Sequence, residues 1–309
     1  VKPKDEPGLK VLPSPPEDLD FTWYRMVRDE MLAVTVGCPA RMLDVGCGPG
    51  DALLMLASRV RCGVGVDVSR ADLARARARA EAAGLHNLRF ARADAADLPF
   101  ADATFDAVLC TGDVLGYSGL FGKQDRAVRE MHRVLANGGL AVYEGMNWDW
   151  EYALSPRWTF FLRSDDGTFQ FHRVRRTASG LEVNRSYDVV PGTPLHDWVA
   201  RQPWPESPSG DRTSLDVGPT GEVPRRWLKF RGVTRNRFYK APSLRRLYRR
   251  AGFATVHVTA YGQTYDVASR AGLLAELEDF RGRLARAEAQ VVLGRSPGGG
   301  PWLFLTAWK

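Results

Sequence analysis

The 309 residues, 44% of them hydrophobic and 26% charged, suffice to bury a sizeable core and lack the compositional bias of fibrous or disordered chains. Four cysteines (Cys38, Cys47, Cys62, Cys110) form no C-x-x-C pair and have no histidine cluster nearby, which argues against a metal site and against a disulfide framework. The net charge of +7 is uneven: Arg225 to Arg250 holds eleven Lys or Arg and no acid, which reads either as a solvated surface or as a mouth for an anion or RNA phosphates.

The N-terminal stretch VKPKDEPGLKVLPSPPEDLD alternates proline with charge and has no apolar run for a signal peptide or membrane span, so a cytoplasmic location is expected. Residues 1–39 read as an arm leading into a helix that carries Trp23, Tyr24, Arg25 and Arg28. From residue 41 short apolar strands alternate with helices, the pattern of an α/β domain with a parallel sheet. The strands are RMLDVGC, Cys62 to Val68, Leu88 to Asp94, Phe105 to Gly112 and Gly139 to Gly145. The helices are Asp51 to Arg59, Arg70 to Ala83 with Gly84 as its stop, and Gln124 to Leu135 before Asn137-Gly138-Gly139. Further on, Leu244 to Ala251 reads as a helix, Ala254 to Tyr261 as a strand, and Trp302 to Trp308 as a last strand closing the sheet.

Residues 146–243 differ in character and hold six of the nine tryptophans. Alternating segments (FQFHRVRR, LEVNRSYDVV, WLKFRGVTRNRFY) joined by the turn signals DDG and ASG predict an antiparallel meander. The Pro/Ser/Gly-rich piece from Pro203 to Pro224 reads as a mobile loop. Together these predict a β lid inserted over the carboxyl edge of the sheet.

The stretch LDVGCGPGD, Leu43 to Asp51, carries the strongest functional signal. It is not a dinucleotide fingerprint, because Asp51 stands where a third glycine would be needed, and it lacks the Gly-Lys-Ser/Thr ending of a phosphate-binding loop. In an open α/β sheet the ligand lies outside the carboxyl ends of the strands. Asp67 closes the second strand, where a carboxylate can accept both hydroxyls of a ribose, and Asp94 closes the third, where it can accept from an adenine amino group. The combination describes an adenosine without a phosphate.

The ordered set LDVGCGPG, GVGVDVS, RADAADLPF, FDAVLC and RVLANGGLAV resembles the class I S-adenosylmethionine-dependent methyltransferases. The resemblance covers residues 40–145 and 244–309 and implies a Rossmann-like core with a mostly parallel sheet and an antiparallel last strand, interrupted by the 146–243 lid. It implies S-adenosyl-L-methionine as cofactor, S-adenosyl-L-homocysteine as product, and a cofactor site of Arg28, Asp44, Gly46, Cys47, Gly48, Asp67, Val68, Asp94, Ala95 and Thr111. Gly46 and Gly48 would admit the methionine part, Asp44 would orient the loop or the cofactor ammonium, Val68 and Ala95 would border the adenine, and Arg28 or Arg25 would meet the carboxylate. Displacement at an already activated methyl needs positioning more than acid or base.

Two further stretches, CTGDVLGYS from Cys110 and YEGMNWDW from Tyr143, resemble the glycine N-methyltransferase group of small-molecule enzymes. That likeness implies an acceptor hydrogen bond from Asn147 and closure of Tyr239 over the transferred methyl; by their own chemistry Trp148 is a candidate acceptor contact, His172 on its lid strand a candidate base for an oxygen nucleophile, and Asp113 and Tyr117 candidate catalytic groups offering a carboxylate and a phenol to a nitrogen. Where the group has Asn, His and Arg, this chain has Asp113, Tyr117 and Met146, so glycine itself is a poor fit and a small amine nitrogen is the expected acceptor. Two readings stay open for Asp113, a turn cap or a group at the acceptor, and two for Trp148, Trp150 and Trp158, packing or a substrate wall. O-methylation of a small metabolite is the alternative within the class. An RNA-binding or RNA-modifying protein using residues 225–250 is the alternative outside it, disfavoured by the lack of an RNA module. No membrane partner is expected, and self-association is left open.

Overall fold

The computed structural model describes residues 20–149, 156–164, 166–204, 213–217, 223–262, 281–293, 300 and 302–309. Their contacts separate into two compact units, one from Asp18–Trp150 with Arg237–Lys309 and one from Glu151–Asn236.

The larger unit is a seven-stranded sheet covered by helices on both faces. Its strands are β1 (Arg41–Val45), β2 (Cys62–Asp67), β3 (Leu88–Arg92), β4 (Phe105–Cys110), β5 (Leu135–Met146), β11 (Thr255–Tyr261) and β12 (Trp302–Trp308), in the order β11-β12-β5-β4-β1-β2-β3. β1 to β5 pair in parallel, and β12 runs antiparallel to both β5 and β11, as the sequence led us to expect. Parallel strands buried on both faces are near-continuous in apolar residues, and successive side chains point to opposite faces. Accordingly Leu43, Val108 and Cys110 join one core cluster, with Val128 and Met131 of α4 (Gln124–Val134) and Leu244 and Tyr248 of α6 (Ala241–Arg250). Met42, Ala107 and Leu109 join the other, with Met31 of α1 (Asp20–Val36) and Leu53 of α2 (Asp51–Leu56). Ala285, Ala289 and Val292 of α7 (Arg281–Leu293) complete that second cluster at helical spacing. The remaining helix of this unit before α4 is α3 (Arg70–Ala82), capped by the Ser69 hydroxyl, which accepts from the Asp72 N–H at 3.2 Å.

The Asn137-Gly138-Gly139 segment, which the sequence suggests as a helix stop, lies inside the long strand β5. Leu135 already pairs with Phe105, the register then shifts, and regular pairing resumes at Leu140 opposite Ala107. Gly138, at φ +74°, supplies the conformation that the irregularity requires.

The second unit is a five-stranded sheet in the order β10-β8-β7-β6-β9, from β6 (Arg157–Arg163), β7 (Phe169–Arg176), β8 (Leu181–Val189), β9 (Thr213–Val217) and β10 (Leu228–Arg237), with the short helix α5 (Pro194–Ala200). Its core is Phe161, Phe171, Val189, Leu195, Val199, Leu215, Val217 and Trp227. β6, α5 and α7 were not anticipated from the sequence. The reading of Pro203 to Pro224 as a loop is corrected: β9 lies within it and pairs antiparallel with β6, and Leu215 and Val217 are fully buried. Five residues of alternating character were masked in the sequence by the glycines and prolines on either side.

Candidate active site

A cleft of about 650 Å³ opens at the carboxyl ends of β1, β2 and β4, a size typical of small-ligand sites. All ten residues assigned to the cofactor from the sequence line it: Arg28, Asp44, Gly46, Cys47, Gly48, Asp67, Val68, Asp94, Ala95 and Thr111. They come from α1 and from four separate strand ends, which the parallel sheet brings together.

The glycine loop is held from both sides. The Gly46 and Cys47 N–H groups donate to the Val66 carbonyl at 2.7 and 3.0 Å, and the Gly48 N–H donates to Asp67 Oδ2 at 2.9 Å. Asp67 Oδ1 accepts from the Ser69 N–H at 2.8 Å, so both carboxylate oxygens are anchored while each keeps a further lone pair. Gly46 has φ +72°, and a Cβ there would run into the Val114 side chain. Gly48, at φ +50°, has open space where its Cβ would stand, which leaves backbone facing the cleft. That is the close backbone approach the sequence motif calls for.

Asp44 is 1% exposed, and its buried Oδ1 has no hydrogen-bond partner. Burial pushes its carboxyl up to about 7, opposed by the Arg28 guanidinium and reinforced by Asp67 and Asp51. An unpartnered carboxylate oxygen at the base of a cleft fits an ammonium, and the Arg28 guanidinium on the same cleft fits a carboxylate. Arg28 is paired with Asp29 at 2.8 Å; Arg25, also on the cleft, stands 4.0 Å from Asp51. Those features suit the amino-acid end of S-adenosylmethionine, as the anchored Asp67 suits its ribose. When bound, that cofactor supplies a methyl group activated by sulfonium charge. Asp94 is less open than the sequence suggests: Oδ1 accepts from the Ala96 N–H at 2.9 Å and Oδ2 pairs with Lys123 at 3.0 Å. The Ala96 N–H and then Lys123 hold its carboxyl below the usual value.

Of the acceptor-side residues, Tyr117 lines the same cleft and is 64% exposed. Asp113 does not line it. Its backbone takes the left-handed conformation (φ +60°), and its buried carboxylate accepts from the Tyr143 hydroxyl at 3.0 Å and the Met146 N–H at 3.2 Å. The structure thereby gives Asp113 the turn-holding contacts of the simpler of its two readings. Asn147 donates to the Gly300 carbonyl at 2.9 Å on a different cavity. Trp148 is fully buried and stacks on Phe238 with ring centroids 5.3 Å apart. Tyr239 lines a third cavity. His172 is buried in the inserted sheet, stacked on Phe160 and within 3.2 Å of Asn184. Trp150 lies outside the described residues.

Sequence reasoning missed Glu144. It is 3% exposed, and its carboxylate accepts from the Gly112 N–H at 2.7 Å and from the Tyr261 hydroxyl at 2.7 Å. Burial raises its carboxyl, countered chiefly by the charge of Arg28. It therefore ties the end of β4, which lines the cleft, to β11 and to the field of Arg28. An acid at the end of a buried strand was the available signal.

Residues 42–139 match a family model described as a methyltransferase domain. A demethylmenaquinone methyltransferase of Thermus thermophilus is 42% identical over 125 residues, 40% of this chain and 53% of that protein. A fatty-acid O-methyltransferase of Mycolicibacterium smegmatis is 32% identical over 169 residues, 52% of this chain and 58% of the other. The chain thus spans between half and two thirds of the length of these two curated relatives. An S-adenosylmethionine-dependent methyltransferase from Clostridium acetobutylicum shares the fold, with a TM-score of 0.55 at 13% identity over 94% of this chain and 93% of its own. Sequence match and sheet topology coincide on the same core: residues 42–139 are similar to a methyltransferase domain, and the sheet that contains them has the fold of that S-adenosylmethionine-dependent methyltransferase.

Proposed function

We propose that the protein transfers a methyl group from S-adenosylmethionine to the nitrogen of a small amine. The observation that carries this reading is the charge of the cleft, whose lining holds Asp44, Asp51, Asp67, Asp72 and Asp94 against Arg25 and Arg28, with Asp51, Asp72 and Asp94 also paired outside the lining to Arg79, Arg75 and Lys123. Such a field favours cationic ligands, both a sulfonium and a protonated amine on its way to the site. Tyr117, exposed on the cleft, is the side chain offered for acceptor contact. The likeness of residues 143–150 to the glycine N-methyltransferase group supports nitrogen as the nucleophile. Methyl transfer to oxygen is the second reading, favoured by the similarity to the fatty-acid O-methyltransferase.

An amine attacks only when unprotonated, so this chain's task would be to hold it in line with the methyl, shield it from water and let its proton leave. The test is a screen of amines, phenols and carboxylic acids with methyl-labelled cofactor, read by mass spectrometry. Label on nitrogen with Tyr117→Phe lowering kcat/KM supports the proposal; label confined to oxygen replaces it with the second reading. Failure of every acceptor class to take up label, with cofactor bound, removes both.

A further inference from the structure

The acid-free basic run begins in the second unit, on and just before an edge strand of its sheet. Residues 225–236 hold Arg225, Arg226, Lys229, Arg231 and Arg235 and no Asp or Glu. The first two lie on the turn Arg225–Trp227 and the others on β10, which stands at one end of the five-stranded sheet. We propose that this edge is a docking surface for a membrane rich in anionic lipid.

Charge is the first argument. All five cations are exposed, and among the described residues only Arg231 has an ion pair, with Asp188 at 3.0 Å. Arg225, Arg226, Lys229 and Arg235 are left uncompensated on a short stretch of chain. An anionic leaflet attracts such a cluster, each Lys or Arg near the surface adding to the attraction.

The company these charges keep is the second argument. Phe230 is 59% exposed and Val233 39%, and they are the exposed large apolar side chains described in this unit. Both stand among the cations of β10. A merely solvated basic face gains nothing from apolar groups at that place, whereas a bilayer surface rewards both, cations at the headgroups and apolar side chains just below them. An edge strand can turn side chains of both its faces toward a flat partner, so alternation along β10 does not separate the two kinds.

Other occupants fit less well. A second copy pairing along β10 would set Lys229, Arg231 and Arg235 against like charges. A nucleic-acid strand stacks successive bases on aromatic rings. Phe230 has no exposed aromatic neighbour for that purpose on this segment, because Trp227 is 6% exposed and has Arg226 over its ring, 5.6 Å from the centroid. The proposed contact is with the lipid surface; among the described residues no helix is long and apolar enough to cross a membrane.

The proposal does not rest on the methyl-transfer reading, and its test uses no cofactor. The full chain is sedimented at low salt with vesicles of phosphatidylcholine alone and of equimolar phosphatidylcholine and phosphatidylglycerol. Binding to the mixed vesicles only is expected, and added sodium chloride should release it. Lys229→Gln combined with Arg235→Gln should weaken binding at least about tenfold, and Phe230→Ser at least about threefold. Circular dichroism checks that each variant is folded. No sedimentation with the mixed vesicles, equal binding to phosphatidylcholine alone, or wild-type affinity in either variant overturns the proposal. Tighter binding to polyuridylic acid or to polyglutamate than to the vesicles also overturns it, in favour of a nucleic-acid or an acidic protein partner.

Discussion

Replacing Asp44 by Asn separates two demands that the cleft places on one side chain. Without ligand, the buried carboxyl titrates at about 7 instead of its ordinary 3.8, so the folded chain holds a proton there that the unfolded chain has lost. Because the folded-state pKa is raised, stability from this group is full below pH 4, falls as pH rises from about 4 to 7, and stays reduced above. The rise of about 3 in pKa corresponds to about 4 kcal/mol at 1.36 kcal/mol for each step, an upper figure for the difference between pH 4 and pH 8. Asp44→Asn has no charge to bury. Urea unfolding of the ligand-free protein should therefore show the variant gaining stability relative to wild type as pH rises from 5 to 8. Cofactor binding should run the other way. If the ionised carboxylate meets the cofactor ammonium, wild-type affinity weakens below about pH 7, approaching tenfold per pH unit, while the variant binds weakly and with little pH dependence. Parallel pH profiles for wild type and Asp44→Asn, in both unfolding and binding, would refute the reasoning.

Two further outcomes follow from contacts named above. Tyr261→Phe leaves a buried Glu144 oxygen without its donor and should cost about 1–3 kcal/mol in urea unfolding; no measurable loss would show that the Tyr261–Glu144 bond holds nothing in place. Leu215→Ala, on the strand found within the expected loop, should cost about 2–5 kcal/mol; a change below about 0.5 kcal/mol, the range of surface positions, would return that segment to loop character.

What could be read from the sequence was what is local. The first five strands and the glycine loop announce themselves through apolar runs and spacing, and the cleft residues fall at strand ends because a parallel sheet brings those ends together. The long-range pairs had no such signal. Tyr261 meets Glu144 across 117 positions and Asn147 meets Gly300 across 153, and nothing near either residue names its partner. Asp113 illustrates the same limit, since an acid after a strand reads equally as a catalytic group and as a turn holder until Tyr143 and the Met146 N–H appear beside it. β9 was hidden for a different reason: composition over a window of twenty residues outweighed alternation over five.

The central claim, that the acid-bearing strand ends and the glycine loop form the cofactor site, is tested most directly by calorimetric titration of S-adenosylhomocysteine into wild type and Asp67→Asn at pH 8. The Asp67 carboxylate is fixed by the Gly48 and Ser69 N–H groups and has lone pairs left for two ribose hydroxyls, each charge-assisted bond worth about 1.5–3 kcal/mol. The account predicts one site per chain in the wild type and affinity at least about tenfold weaker in the variant. Absence of binding to the wild type, or equal affinity in the two proteins, would contradict it.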